Sequence, residues 1–258
     1  MQRLEALSAR VAELVLRSRR TVVFTGAGVS TESGIPDFRG PGGLWERYDP
    51  GDFTIERFLK RAETRQKIWH ALGELIGETR PNPAHFAIAE LEELGKLDCV
   101  ITQNVDGLHQ QAGNSPQRVF ELHGSLRQAV CLSCGERYPM EHVRGLLLSG
   151  SALACERCRG ILKPAAVFFG EALPEQELQE SMRRSRASDL FVVVGSTLTV
   201  HPAAQMPVYA LEAGAKLVII NLGPTPLDRR ATVILRCKAG EIMPAIVEKV
   251  KAGLSRPV

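Results

Sequence analysis

Short apolar runs at residues 21–25, 99–102, 119–122, 166–169, 190–194, 217–220 and 233–235 punctuate the chain. They do not alternate with polar residues, and unbroken runs of this length mark strands buried on both faces, as in a parallel sheet covered by helices. Helical stretches at 174–187, 203–213 and 242–250 separate the later runs at the intervals of βαβ units. Leu4, Leu7, Val11, Leu14 and Val15 recur at helical spacing, which predicts an amphipathic first helix packed against the first strand. Asn82 is a good helix cap and Pro83 suits a first helical position, so a further helix runs from 84 to 94 and stops at Gly95. The pattern predicts an α/β fold with a doubly wound parallel sheet. With 258 residues, 44% of them hydrophobic, the chain can bury one large core or two modest ones.

Two stretches break the rhythm. Residues 41–79 read as a polar helical insert of about two helices between flanking strands. The other holds two CxxC pairs, Cys131 with Cys134 and Cys155 with Cys158, in a segment otherwise without βαβ spacing. This is zinc-ribbon spacing, and a small module needs such a staple. Two disulfides or free thiols are the alternatives. Four thiolates would fill the tetrahedral shell and leave no place for an activated water, so such a zinc is structural. Cys99 and Cys237 are left over.

No run of 18 apolar residues and no signal-like N-terminus is present, which predicts a cytoplasmic protein without membrane contact. The formal charge of +3 falls short of a nucleic-acid signature, although a zinc-ribbon adaptor binding nucleic acid stays open as a non-enzyme alternative.

The chemistry gathers at the ends of the runs. Gly26-Ala27-Gly28 follows the first strand as a glycine turn that opens a helix, where a dinucleotide phosphate docks. Its spacing misses the dehydrogenase fingerprint, because Thr31 stands where the third glycine belongs, and hydride transfer is disfavoured. The tail Ile35-Pro36-Asp37-Phe38-Arg39 sets a stiff turn, an acid, a ring and a guanidinium side by side, which suggests chemistry on the cofactor itself. Gln103, Asn104 and Asp106 follow another run, and helix capping explains one of them but hardly all three. His123 follows a third and is a candidate general base, whereas His85 and His109 are more simply packing or capping residues. Gly195-Ser196-Thr197 and Asn221 complete a row of small polar groups suited to phosphate and ribose.

Taken in order, GAGVSTESGIPDFRG, TQNVDGLH, ELHGS, the two CxxC pairs, LKPAAVFFGE, VGSTLTVHP and INLGPTPLD resemble the sirtuins, the NAD-dependent protein deacylases, over nearly the whole chain. The resemblance implies a Rossmann-like domain of residues 1–40, 80–127 and 163–258. It also implies a small domain formed by 41–79 and the ribbon 128–162, with the active site between the two. It implies that NAD is consumed as co-substrate and that one structural zinc is bound.

Gly26, Ala27, Gly28, Ser30, Asp37, Phe38, Arg39 and Trp45 would line the dinucleotide site. Ile35, Asn104, Val105 and Asp106 would form the nicotinamide pocket, and Gln103 would contact the nearby ribose. Gly195, Ser196, Thr197, Asn221, Leu222, Gly223, Lys238 and Ala239 would hold the phosphates, the other ribose and adenine. Asn104, Asp106 and His123 would be catalytic, His123 as general base, and Val167, Phe168, Phe169 and Gly170 would pair with an extended acyl-lysine peptide by strand addition.

In the implied reaction the acyl oxygen displaces nicotinamide from the ribose, and water ends the sequence with free lysine and O-acyl-ADP-ribose. Protein mono-ADP-ribosyl transfer is the enzyme alternative, since it begins with the same bond cleavage. Family members that remove acidic acyl groups use a tyrosine and an arginine three residues apart. Tyr48, Tyr138 and Tyr209 lack that partner, so acetyl or other uncharged acyl groups are expected.

Overall fold

The computed structural model describes residues 2–75, 79–148 and 153–255; the parts of the helical insert at 76–78 and of the cysteine module at 149–152 lie outside them. In chain order the strands are β1 Thr21–Thr25, β2 Cys99–Thr102, β3 Val119–Glu121, β4 Gly124–Cys131, β5 Arg137–Pro139, β6 Leu162–Ala166, β7 Leu190–Val194, β8 Lys216–Ile220 and β9 Val233–Leu235. Six of them form a wholly parallel sheet in the order β3-β2-β1-β7-β8-β9. The chain builds outward from β1 in one direction and then, from β7, in the other. The reversal lies between β1 and β7, and open α/β sheets bind ligands at the carboxyl edge of such a point.

Period-two alternation sorts the apolar side chains between two cores. Val22 and Phe24 of β1 join Phe191, Val193, Leu217 and Ile219 on one face, covered by the helices Glu175–Ala187 and Met206–Glu212. Val23 joins Val192, Val194, Val218 and Ile220 on the other, under the helices Gln2–Arg17, Pro83–Glu93 and Ala239–Leu254. Each fully buried Val, Ile, Leu or Phe contributes about 1.5–3 kcal/mol, so this double core can support the large sheet unaided. Asn82 caps Pro83–Glu93 as expected: its side chain accepts from the Ala84 amide at 2.9 Å.

The second sheet is antiparallel, in the order β5-β4-β6. With the helix Met140–Leu148 it encloses a small core of Ala129, Tyr138, Met140, Val143 and Leu162, closed by Trp69 from the insert and by Cys131 and Cys155. The insert holds the helices Leu44–Arg47, Ile55–Lys60 and Ala62–Leu75.

Two expectations need correction. Residues 166–169 do not form a strand of the parallel sheet. Strand β6 runs antiparallel to β4 and ends at Ala166; beyond it the Val167 amide turns to the carbonyl of His123 (2.8 Å) and the Phe169 amide to that of Phe53 (2.9 Å). An apolar run can equally line the junction of two sheets, and pattern alone does not separate the cases. The glycine turn after β1 opens no α-helix either. It enters two single 3₁₀ turns, Ala27–Val29 and Thr31–Ser33, ended by Gly34 at φ 86°. Among the described residues no helix is long and apolar enough to cross a membrane.

Candidate active site

The carboxyl edge brings together most of the polar residues that the sequence singled out. At its centre the backbones of two loops touch. The Gly28 amide donates to the Gly195 carbonyl at 2.9 Å, and a Cβ on Gly28 would lie 2.8 Å from that oxygen. Gly195 sits at φ 63°, and a Cβ there would stand 2.2 Å from the Val29 amide nitrogen. Only glycine lets the loops after β1 and β7 meet this closely.

Beneath them lies a connected polar cluster. Asn104, which is buried, donates from Nδ2 to Ser30 Oγ (3.1 Å) and to the Gly26 carbonyl (3.2 Å). Ser30 Oγ in turn donates to Asp106 Oδ2 at 2.7 Å, and Asp106 Oδ1 accepts from the Leu108 amide at 3.0 Å. A carboxylate held by two donors stays in one orientation.

Two histidines given plain structural roles by the sequence support this cluster. His85 does cap its helix, since Nδ1 accepts from the Asn82 amide at 3.3 Å. That contact puts the ring proton on Nε2, which faces Ser30 Oγ at 3.5 Å. The position of Asn82-Pro83-Ala84-His85 at a helix start is a visible signal for the cap, but nothing in it reveals the second contact. His109 Nε2 lies 2.9 Å from Thr25 Oγ1, which donates to Thr102 Oγ1, and the two imidazoles pack 5.0 Å apart. Burial pushes His85 down to about 4, against the pull of Asp106, and His109 to about 3. Both rings are neutral near pH 7.

His123 stands at the end of β3. Its Nδ1 lies 2.9 Å from the Gln103 carbonyl, which can only accept, so Nδ1 carries the proton and the Nε2 lone pair is left to act as a base. Burial holds the imidazole below its ordinary value, opposed by that carbonyl. Gln103 also spans the crevice, its Nε2 donating to Ser196 Oγ at 2.8 Å.

The remaining predicted residues occupy the rim. Asp37 spends its carboxylate on the Gly40 amide (2.6 Å), which fixes the shape of the loop, and the Leu44 and Trp45 amides bond to the Asp37 and Phe38 carbonyls. Phe38, 40% exposed, leans on Trp45 at 5.1 Å, and Trp45 meets Phe53 at 5.3 Å and Phe169 at 6.4 Å. Ala27 lies in the first 3₁₀ turn, and the Ile35 amide bonds to the Ser30 carbonyl. The Val105 carbonyl accepts from the Leu126 amide. At the far end, Asn221 closes its own turn onto the Gly223 carbonyl (2.9 Å) beside exposed Leu222, and Thr197 pairs with Thr199 (3.0 Å). Lys238 precedes the last helix, which begins at Ala239.

Away from this edge, Cys131, Cys134, Cys155 and Cys158 place their sulfurs within 4.8 Å of one another. Tetrahedral zinc with bonds of about 2.3 Å needs sulfurs at about 3.8 Å. Cys131 to Cys158 at 3.5 Å and Cys134 to Cys155 at 3.6 Å fit that demand, and neither pair is a disulfide. Each CxxC forms the same knuckle. The Gly135 amide bonds back to the Cys131 carbonyl and the Arg159 amide to that of Cys155, with Gly135 and Arg159 at φ 74° and 62°. A Cβ on Gly160 would lie 2.9 Å from Cys131 Sγ, so glycine clears the space beside the sulfurs.

Fold and site together define a doubly wound α/β protein that keeps its polar machinery at the topological switch point and carries a four-cysteine module. The Sir2 family model matches residues 26–202, and the chain belongs to the Sir2 family. It is similar to NAD-dependent protein deacetylase 1 of Pyrobaculum aerophilum, 45% identical over 247 residues that cover 95% of each chain. NAD-dependent protein deacylase 2 of Archaeoglobus fulgidus is likewise 45% identical, over 94% of this chain and 95% of its own. A solved Sir2 enzyme superposes with a TM-score of 0.89 at 44% identity, covering 96% of this chain and 99% of its own. A solved Sir2 complex with p53 peptide and NAD+ superposes at 0.86 and 39% identity, covering 95% and 98%.

Proposed function

We propose that this protein is an enzyme that removes acetyl or other uncharged acyl groups from protein lysines at the expense of NAD. The observation that carries the reading is the Ser30, Asn104, Asp106 cluster on the same sheet edge as a base whose tautomer is set by the Gln103 carbonyl. It is supported by the full-length likeness to NAD-dependent deacetylases and deacylases. The two glycine loops fit a dinucleotide, because their close approach leaves backbone with no side chain in the way.

Bound NAD supplies a ribose carbon that becomes electrophilic as nicotinamide leaves. In this reading Asn104 and Asp106 hold the departing carboxamide in a desolvated pocket, where oriented dipoles act most strongly. Phe38 and Trp45 exclude water from the reacting sugar. His123, neutral at physiological pH, takes a proton from a ribose hydroxyl through Nε2. Ser196, Thr197, Asn221 and the start of the last helix hold the phosphate and adenosine end. Val167–Gly170 is the edge for the peptide. The amides of Val167, Phe168 and Phe169 are already engaged, to the His123 carbonyl, Glu171 and the Phe53 carbonyl. No described hydrogen bond uses the Val167 carbonyl or the Gly170 amide, and these are the groups left for an incoming strand.

In the module the four cysteines would hold zinc as thiolates, which gives it a structural role only. We take the parallel sheet with its helices as one domain and the insert with the cysteine module as a second.

The deciding measurement is nicotinamide release from NAD with and without an acetyl-lysine peptide. Release in step with deacetylation is expected; NADH formation, or label from NAD carried covalently on protein with no free lysine formed, would overturn the reading. A succinyl-lysine peptide turned over faster than the acetyl one would overturn the acyl preference alone.

A further inference from the structure

Lys163 is a charged side chain where charge is costly. It lies at the second position of β6 and is 4% exposed. An ammonium has three donors, and here all three have acceptors: the Pro164 carbonyl at 3.0 Å, the Ala166 carbonyl at 2.6 Å and Glu171 Oε2 at 3.0 Å. Its remaining side is covered by the Phe168 ring, 4.3 Å from Nζ to the centroid. Burial lowers the affinity of Lys163 for its proton, and Glu171 opposes this.

A lysine so enclosed acts on the chain around it as a bound cation would. Residues 164–171 wrap the ammonium, and the same Glu171 oxygen that faces it accepts the Phe168 amide at 2.7 Å. The Glu171 amide returns to the Phe168 carbonyl at 3.0 Å. Replacing such a pair by apolar residues often costs little stability, so stability alone is a weak reason for its presence. What it fixes is local: the course of the chain between β6 and the helix Glu175–Ala187.

We propose that Lys163 and Glu171 are positioning residues that hold Val167–Gly170 in the shape an acyl-lysine peptide pairs with, and so set peptide affinity without entering the chemistry. The proposal rests on the reading of that segment as the peptide edge. It separates two properties of the crevice. The contacts proposed for the cofactor lie in the loops after β1, β2, β7 and β8 and at the start of the last helix, and none of them involves Lys163 or Glu171. The pair governs one wall only.

The test is steady-state kinetics of Lys163→Met, which keeps the length and the apolar stem, and of Glu171→Gln, at a partly exposed position where folding is least threatened. The double variant, which removes both charges, guards against collapse from a single unpaired buried charge. Peptide KM should rise about tenfold, the size of one lost charge-assisted hydrogen bond, while kcat and the KM for NAD hold within about twofold. Amide exchange read by mass spectrometry should quicken at 167–169 and stay unchanged in β1 and β7. Unchanged peptide KM in all three proteins, or a fall in kcat at constant KM, overturns the assignment. Failure of the unsubstituted protein to bind an acetyl-lysine peptide overturns the underlying reading instead, and is seen before any variant is made.

Discussion

The two sheets of this molecule are stabilised by different means. The parallel sheet has helices and apolar side chains on both faces, and the polar residues of its candidate site lie along one edge, outside that core. The antiparallel sheet has a core of a few side chains, and two of its most buried members are cysteines whose sulfurs point at two others. One region can lose its chemistry and keep its fold. In the other, the chemical groups are the fold.

Removing zinc breaks the comparison most sharply. Binding to four thiolates is worth on the order of 10 kcal/mol in isolated zinc modules, more than this small core supplies. A strong chelator, or Cys134→Ser, should therefore release one zinc per chain and collapse amide protection across β4 and β5 while β1, β7 and β8 keep theirs. Equal loss in both sheets would show that the large one is not self-supporting.

His123→Ala is the converse case. Turnover should fall by about 10²–10⁴, the usual contribution of a general base, with circular dichroism and melting temperature nearly unchanged. In the unsubstituted enzyme the acid limb of kcat/KM should lie below pH 6.5, because burial lowers the His123 pKa. A limb above 7 would remove His123 from that role.

Gly195→Ala tests the one part of the edge that the fold does need. A side chain at φ 63° costs about 1 kcal/mol and the clash with Val29 adds about 1–3 kcal/mol. Denaturant midpoints should show the loss, and Ser196→Ala one residue later, which removes a hydroxyl but adds no clash, should cost less.

A pH dependence of stability is also expected, carried by the parallel-sheet region. His85 and His109 are neutral when folded, with pKa values near 4 and 3, and take up protons on unfolding near 6.5. Between those values the unfolded state binds more protons, so stability is complete above about pH 6.5 and declines as pH falls toward 4, by about 1 kcal/mol per unit for each ring. Melts at pH 7 and 5 measure the slope, and His109→Gln should flatten it. An unaltered slope would mean that other groups carry the dependence.

The contrast also explains what the sequence made legible. Strands buried on both faces leave unbroken apolar runs, so β1, β2, β7, β8 and β9 could be read within a residue or so, and the four cysteines were plain from spacing alone. The edge was legible in part, because strand ends are visible as changes from apolar to polar text. The run at 166–169 misled, since burial at a junction of two sheets writes the same letters as burial within one. His85, a packing or capping residue by its sequence position, is a cap. Its second contact, with Ser30, joins residues 55 positions apart, and no local pattern encodes it. The Lys163 and Glu171 pair was likewise invisible, because only the chain turning around the ammonium brings its acceptors together.

Gln103 meets Ser196 with its side chain, but it meets His123 with its main chain. Any amino acid at that position presents the same carbonyl. A mutational scan would therefore register the first contact and remain blind to the second, and sequence drift could erase the glutamine while the histidine kept its tautomer. The orientation of the base is written into the path of the backbone, where selection on side chains cannot reach it.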